Sequence, residues 1–109
     1  MKSDLPYLGH IAAIETYVAG ERDRFMTERL IQDAVIRNFE IIGEAASLLS
    51  PELRGRQGVP WSTIIAFRNR LIHGYWSVDP LLVWDVIAND LPLLKNEVNR
   101  LITTTGNVP

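Results

Sequence analysis

Apolar residues recur along this chain with a helical period, and no polar–apolar alternation is long enough to read as a strand. Leu8, Ile11, Ala12, Ile14 and Val18 share one side of a first helix predicted over Leu5 to Ala19. Gly20 stops it, and Pro6 sits in its first turn, where a missing N–H costs nothing. A short charged link, Glu21-Arg22-Asp23-Arg24, leads to a second helix over Thr27 to Leu49, with Thr27 as cap and Pro51 beyond its end. Ile31, Ala34, Val35, Ile42, Ala45, Ala46 and Leu49 make its stripe, and Asn38 falls in the middle of it. A buried amide must find partners, so Asn38 either ties two helices together or lines a cleft. On the opposite face Ile36 and Gly43 form a smaller apolar patch, open to another helix or to a dimer partner.

Residues 50 to 60 are rich in Gly and Pro and read as a loop. A third helix follows from Trp61 to His73, with Gly74 just past its end. Asp79 as cap and Pro80 in the first turn start a fourth, which runs to Ile102. Pro92 falls inside it and predicts a kink, or two helices with Asp90 capping the second. Residues 103–109 read as a loose tail. The expected architecture is all-α: an up-and-down bundle of four to five helices forming one domain over residues 5–102.

Composition narrows the chemistry. The 109 residues contain no Cys, which excludes disulfides, thiolate zinc sites and cysteine nucleophiles. No apolar run is long enough for a membrane span and the start lacks a signal-peptide core, so a soluble cytoplasmic protein is expected. Eleven Lys and Arg against thirteen Asp and Glu give a net charge of −2, which by itself argues against a nucleic-acid binder. The distribution says otherwise. No acid lies between Glu52 and Asp79, a stretch that holds Arg54, Arg56, Arg68, Arg70 and His73. It carries four positive charges, and the rest of the chain is strongly acidic. That pattern describes a local anion site on an acidic body.

The third helix carries the candidate chemistry. Trp61, Ile64, Ile65, Phe67, Leu71 and Ile72 mark its apolar side, and Arg68 falls inside that side. A guanidinium there needs a bound anion, a carbonyl cluster or a carboxylate, and Glu40 and Glu44 of the second helix are the candidates within the chain. Asn69 and His73 are four apart and share one face. An imidazole and an arginine flanking one groove suit phosphodiester cleavage: the first moves a proton to or from a ribose hydroxyl, and the second holds charge on the pentavalent transition state. His10, among apolar neighbours of the first helix, reads as a packing or surface histidine.

The run Arg68-Asn69-Arg70-Leu71-Ile72-His73-Gly74-Tyr75 resembles the Arg-x4-6-His-x-Tyr signature of HepT-like toxins in the HEPN superfamily. Residues 36–46, with their Ile-Gly-Glu-Ala core, resemble that family's second helix, and Val59-Pro60-Trp61 and Trp84 are similar to it as well. The resemblance implies a helical bundle that forms a homodimer, with the motifs of both copies facing one cleft. It implies metal-independent cleavage of RNA without a cofactor, with Arg68 and His73 catalytic and Asn69 assisting. It further implies a toxin–antitoxin pair in which an MntA-type nucleotidyltransferase transfers AMP to Tyr75. Arg54, Arg56 and Arg70 become candidates for guiding RNA. Two other readings stay open: a non-catalytic accessory subunit that presents nucleotide or substrate to a nucleotidyltransferase, and a helical dimer that recruits a protein through the Ile36–Gly43 patch.

Overall fold

The computed structural model describes residues 5–49, 61–74 and 77–105, with side chains from Tyr7 to Arg100 within those ranges. The loop predicted over 50–60 and the last four residues lie outside the described residues. The elements are α1 (Leu5–Val18), α2 (Arg22–Thr27), α3 (Arg29–Ser47), α4 (Trp61–Gly74), α5 (Pro80–Asp85) and α6 (Leu91–Thr105), with a π-helical turn over Val86–Asp90 joining the last two. Among the described residues there is no strand, as the apolar period requires.

The central helix is α3. One side packs on α1, and another meets α4, where Phe39 contacts Phe67 edge-on (ring centroids 5.2 Å apart). Ile11, Ile14, Phe25, Val35, Ile42, Trp61, Ile64, Leu71, Leu91 and Leu94 close the core between these helices. Each such side chain contributes about 1.5–3 kcal/mol on burial. Asn38 lies in this interior and joins helices: its Oδ1 is 2.7 Å from His10 Nδ1, while its Nδ2 donates to the Ala34 carbonyl at 2.8 Å. Because the Asn38 oxygen accepts, the proton in that contact belongs to His10 Nδ1. His10 is therefore a joint between α1 and α3.

Several boundaries differ from the sequence reading. The predicted second helix is broken at Glu28, whose backbone is extended (φ −105°, ψ 108°), and the charged link before it is already helical as α2. Thr27 does not cap α3, because its hydroxyl bonds backwards to the carbonyls of Asp23 (3.1 Å) and Arg24 (3.3 Å). The Gln32 amide then donates to the carbonyls of Phe25 and Met26, satisfying groups that the end of α2 would leave open. The benefit of the break is Phe25, which is fully buried and packs on Trp84 at 5.6 Å.

The fourth predicted helix does start at Asp79, whose side chain accepts from the Leu81 N–H at 2.9 Å. It then reaches Thr105 instead of ending at Ile102. Just before Pro92 the helix passes through the π turn, in which the Leu91 N–H bonds to the Val86 carbonyl. The wider turn makes room for a proline ring that would collide with the carbonyl four residues back in a regular helix. The apolar patch at Ile36 and Gly43 is not an outer surface: both are buried, Gly43 under α4 and Ile36 beside Phe25, Val78 and Val83.

Candidate functional site

The site is built where α4 crosses α3. Trp61, Ile64, Phe67 and Leu71 form the buried edge of α4. Arg68 follows Ile64 by one turn, so it starts from the rim of that edge with its root against α3. The residue beneath it is Gly43. A Cβ placed on Gly43 would stand 2.5 Å from Arg68 Cγ and 3.4 Å from the Ile64 carbonyl oxygen, and closer still to Arg68 Cβ. Only a glycine lets the two helices approach this far. The aliphatic stem of Arg68 thus lies across the backbone of α3, and its side chain is 24% exposed.

From that seat the guanidinium reaches two acceptors. Nη1 donates to Asn69 Oδ1 at 2.9 Å, and Nη2 donates to Glu44 Oε1 in an ion pair that joins α4 to α3. Arg68 Nε is buried and has no partner among the described residues. Of the two carboxylates within reach by sequence, α3 thus supplies Glu44, and Glu40 instead pairs with Arg37 of its own helix at 3.4 Å. The arginine is held at the surface with its charge balanced by one rim carboxylate.

Asn69 and His73 are both exposed on α4, one turn apart, with His73 in its last turn. His73 is exposed and makes no hydrogen bond to the described residues. The structure therefore brings Arg68, Asn69 and Glu44 together and sets His73 one turn beyond Asn69, with no hydrogen bond to Arg68. Arg70 is exposed, about 200° around the helix from Arg68, and belongs to a different face. Ile72, placed on the apolar side by its spacing, is 45% exposed next to His73. Tyr75, Arg54 and Arg56 lie outside the described residues.

Sequence reasoning missed the part of Gly43. A glycine in the interior of an apolar helical pattern signals close approach, but the approaching group is Arg68 of the same chain and not a partner. Among the described residues no group of three His, Asp or Glu is arranged to hold a metal ion. None of their helices is long and apolar enough to cross a membrane. A cavity of about 200 Å³ beside Phe25, Gln32 and Ile36 opens on the α2–α5 side, and Arg68 is not among its lining residues.

A sequence-family model described as "Ribonuclease HepT-like" matches residues 7–101. A protein of Methanocaldococcus jannaschii named "Gamma-glutamylcyclotransferase and putative RNase" is 39% identical over 109 residues, which cover 94% of this chain and 49% of that protein. The chain thus spans about half the length of that relative. A "Putative RNase" of Caldanaerobacter subterraneus subsp. tengcongensis is 33% identical over 108 residues, covering 94% of this chain and 96% of that one. A "Probable ribonuclease HepT" of Thermococcus cleftensis is 36% identical over 78 residues, covering 71% of each. No solved structure matches the chain.

Proposed function

The chain belongs to the HepT-like ribonuclease family, and from that premise we propose that it is an endoribonuclease whose reaction is carried by Arg68 and His73. The observation that supports this most is the seating of Arg68. Its stem is seated over Gly43 and its guanidinium is held by Asn69, whose own neighbour one helical turn on is the exposed imidazole of His73. A phosphodiester laid there meets a cation for its non-bridging oxygens and a proton-transfer group for its ribose.

In the proposed reaction His73 takes the proton of a ribose 2′-hydroxyl as that oxygen attacks the neighbouring phosphorus. The bond from phosphorus to the 5′-oxygen breaks, and that oxygen leaves with a proton. The products are a 2′,3′-cyclic phosphate and a free 5′-hydroxyl. Arg68 stabilises the charge that gathers on the phosphoryl oxygens, and Asn69 orients the guanidinium. A homodimer with the two motifs across one cleft would supply a second His73 as the acid. Arg54, Arg56 and Arg70 would guide the RNA backbone.

The physiological setting we propose is a toxin–antitoxin pair in the cytoplasm, with an MntA-type nucleotidyltransferase as antitoxin. AMP on Tyr75, two residues beyond His73, would add bulk and negative charge where an RNA phosphate must sit. The deciding experiment is RNA cleavage by the purified protein in EDTA, alongside Arg68→Ala and His73→Ala variants that keep the helical circular-dichroism spectrum. The expected result is cleavage by the parent protein and none by either variant. Undiminished cleavage by both variants would sink the assignment. Nucleotide binding without cleavage by the parent would favour the accessory-subunit reading.

A further inference from the structure

The Arg68–Glu44 pair is unequal. The arginine side chain is 24% exposed and its root is trapped over Gly43, whereas the glutamate side chain is 53% exposed at the rim. Exchange of anions at this guanidinium therefore falls to Glu44, the more exposed partner, because the stem of Arg68 is packed against α3. The orientation of the guanidinium does not depend on Glu44 alone, since Nη1 is also held by the Asn69 oxygen. Among the described residues, Glu44 makes its one ion pair with Arg68. A half-exposed pair of this kind is weak. A phosphodiester offers the same guanidinium a full negative charge on two oxygens, in the fork geometry that arginine prefers.

Building on the ribonuclease reading, we propose that Glu44 is an intramolecular placeholder for RNA. In the free protein its carboxylate occupies the guanidinium edge that a substrate phosphate takes, and RNA binding displaces it. The carboxylate thereby covers the charge of Arg68 when no RNA is present. It also weakens RNA binding by competition, while contributing nothing to the chemical step once displaced.

The test measures binding and cleavage separately. A 2′-O-methyl oligoribonucleotide keeps every phosphate but lacks the attacking hydroxyl, so its affinity is read by fluorescence anisotropy whether or not the protein is catalytic. Glu44→Gln keeps the shape and an acceptor oxygen while removing the charge. It should lower Kd by about two- to fivefold, the range set by a half-exposed ion pair. The gain should vanish in the Arg68→Ala background. Glu15→Gln, the same charge change at a remote pair with Lys95, should give a smaller gain. On a cleavable RNA, Glu44→Gln should lower KM and leave kcat at or above the parent value. Weaker or unchanged binding, no binding to either protein, a gain that survives without Arg68, or an equal gain in Glu15→Gln overturns the placeholder. A fall in kcat at constant Kd also overturns it and makes Glu44 a positioning residue. Failure of the parent protein to cleave RNA would sink the ribonuclease reading instead, and the binding comparison would still stand.

Discussion

Gly43 of α3 and Arg68 of α4 meet so closely that a methyl group on the first would stand 2.5 Å from Cγ of the second. The contact welds the two helices at the point where the site begins. It makes one backbone atom of α3 the floor on which the arginine stem rests, so the reach of the guanidinium is set by helix packing before any hydrogen bond forms.

Gly43→Ala separates this contact from ordinary helix propensity. At a mid-helical position with free space, replacing glycine by alanine stabilises by about 0.5–1 kcal/mol. Here the added methyl meets the root of a side chain that cannot yield, so a loss of about 1–3 kcal/mol is expected. Urea denaturation gives the sign, and a stabilised variant would show that the helices do not cross this closely.

Arg68→Lys keeps the charge and discards the fork. An ammonium cannot hold the Asn69 oxygen and two oxygens of a phosphate together in one plane. RNA cleavage should fall by about a hundredfold with little change in stability. Activity near that of the parent, measured with a labelled RNA, would mean that a point charge suffices.

The His10–Asn38 joint predicts a coupling. Asn38→Leu leaves the His10 Nδ1 proton without its acceptor, 2.7 Å away in the intact protein, and should cost about 1–3 kcal/mol. His10→Phe combined with Asn38→Leu should recover part of that loss. A double-mutant cycle measures the interaction, and strictly additive losses would argue against the bond.

Ala19 has φ +47°, a left-handed conformation, ahead of Gly20 at φ +71°. Its N–H bonds to the Glu15 carbonyl at 2.8 Å, and the Glu21 N–H bonds to that of Val18 at 2.8 Å, so the turn between α1 and α2 depends on this geometry. Ala19→Gly relieves strain and is expected to raise stability by about 0.5–1 kcal/mol. A thermal melt that fails to rise would place the residue in an ordinary conformation.

Coexpression with an MntA-type nucleotidyltransferase tests the regulatory proposal. Peptide mass spectrometry should find AMP on Tyr75 and none on Tyr7 or Tyr17. Tyr75→Phe should remain toxic in the presence of that enzyme. An unmodified Tyr75 in an inactive complex would mean that inhibition works by binding alone.

Much of this molecule was legible in its sequence because the signals are local. A 3.6-residue apolar period fixes a helix wherever it lies, and Asp79-Pro80 starts one by satisfying its own first turn. An arginine inside an apolar stripe announces an unusual partner without saying which. Thr27 shows where locality fails. Its hydroxyl can cap a following helix or bond back into a preceding one, and the local sequence permits both. The choice fell to Phe25, which gains a buried place against Trp84 only if the chain breaks at Glu28.

What the sequence determined by itself, then, was an all-helical chain with a basic stretch and an Arg68-Asn69-His73 motif on one helix, since period and composition need no knowledge of neighbours. What tertiary structure alone decided was the identity of those neighbours: Gly43 beneath Arg68, Glu44 rather than Glu40 on its guanidinium, and His10 on Asn38. The reason is physical. Each of those contacts joins residues on different helices, and the angle and register at which two helices cross are set by the whole packed interface, which no local stretch of chain encodes.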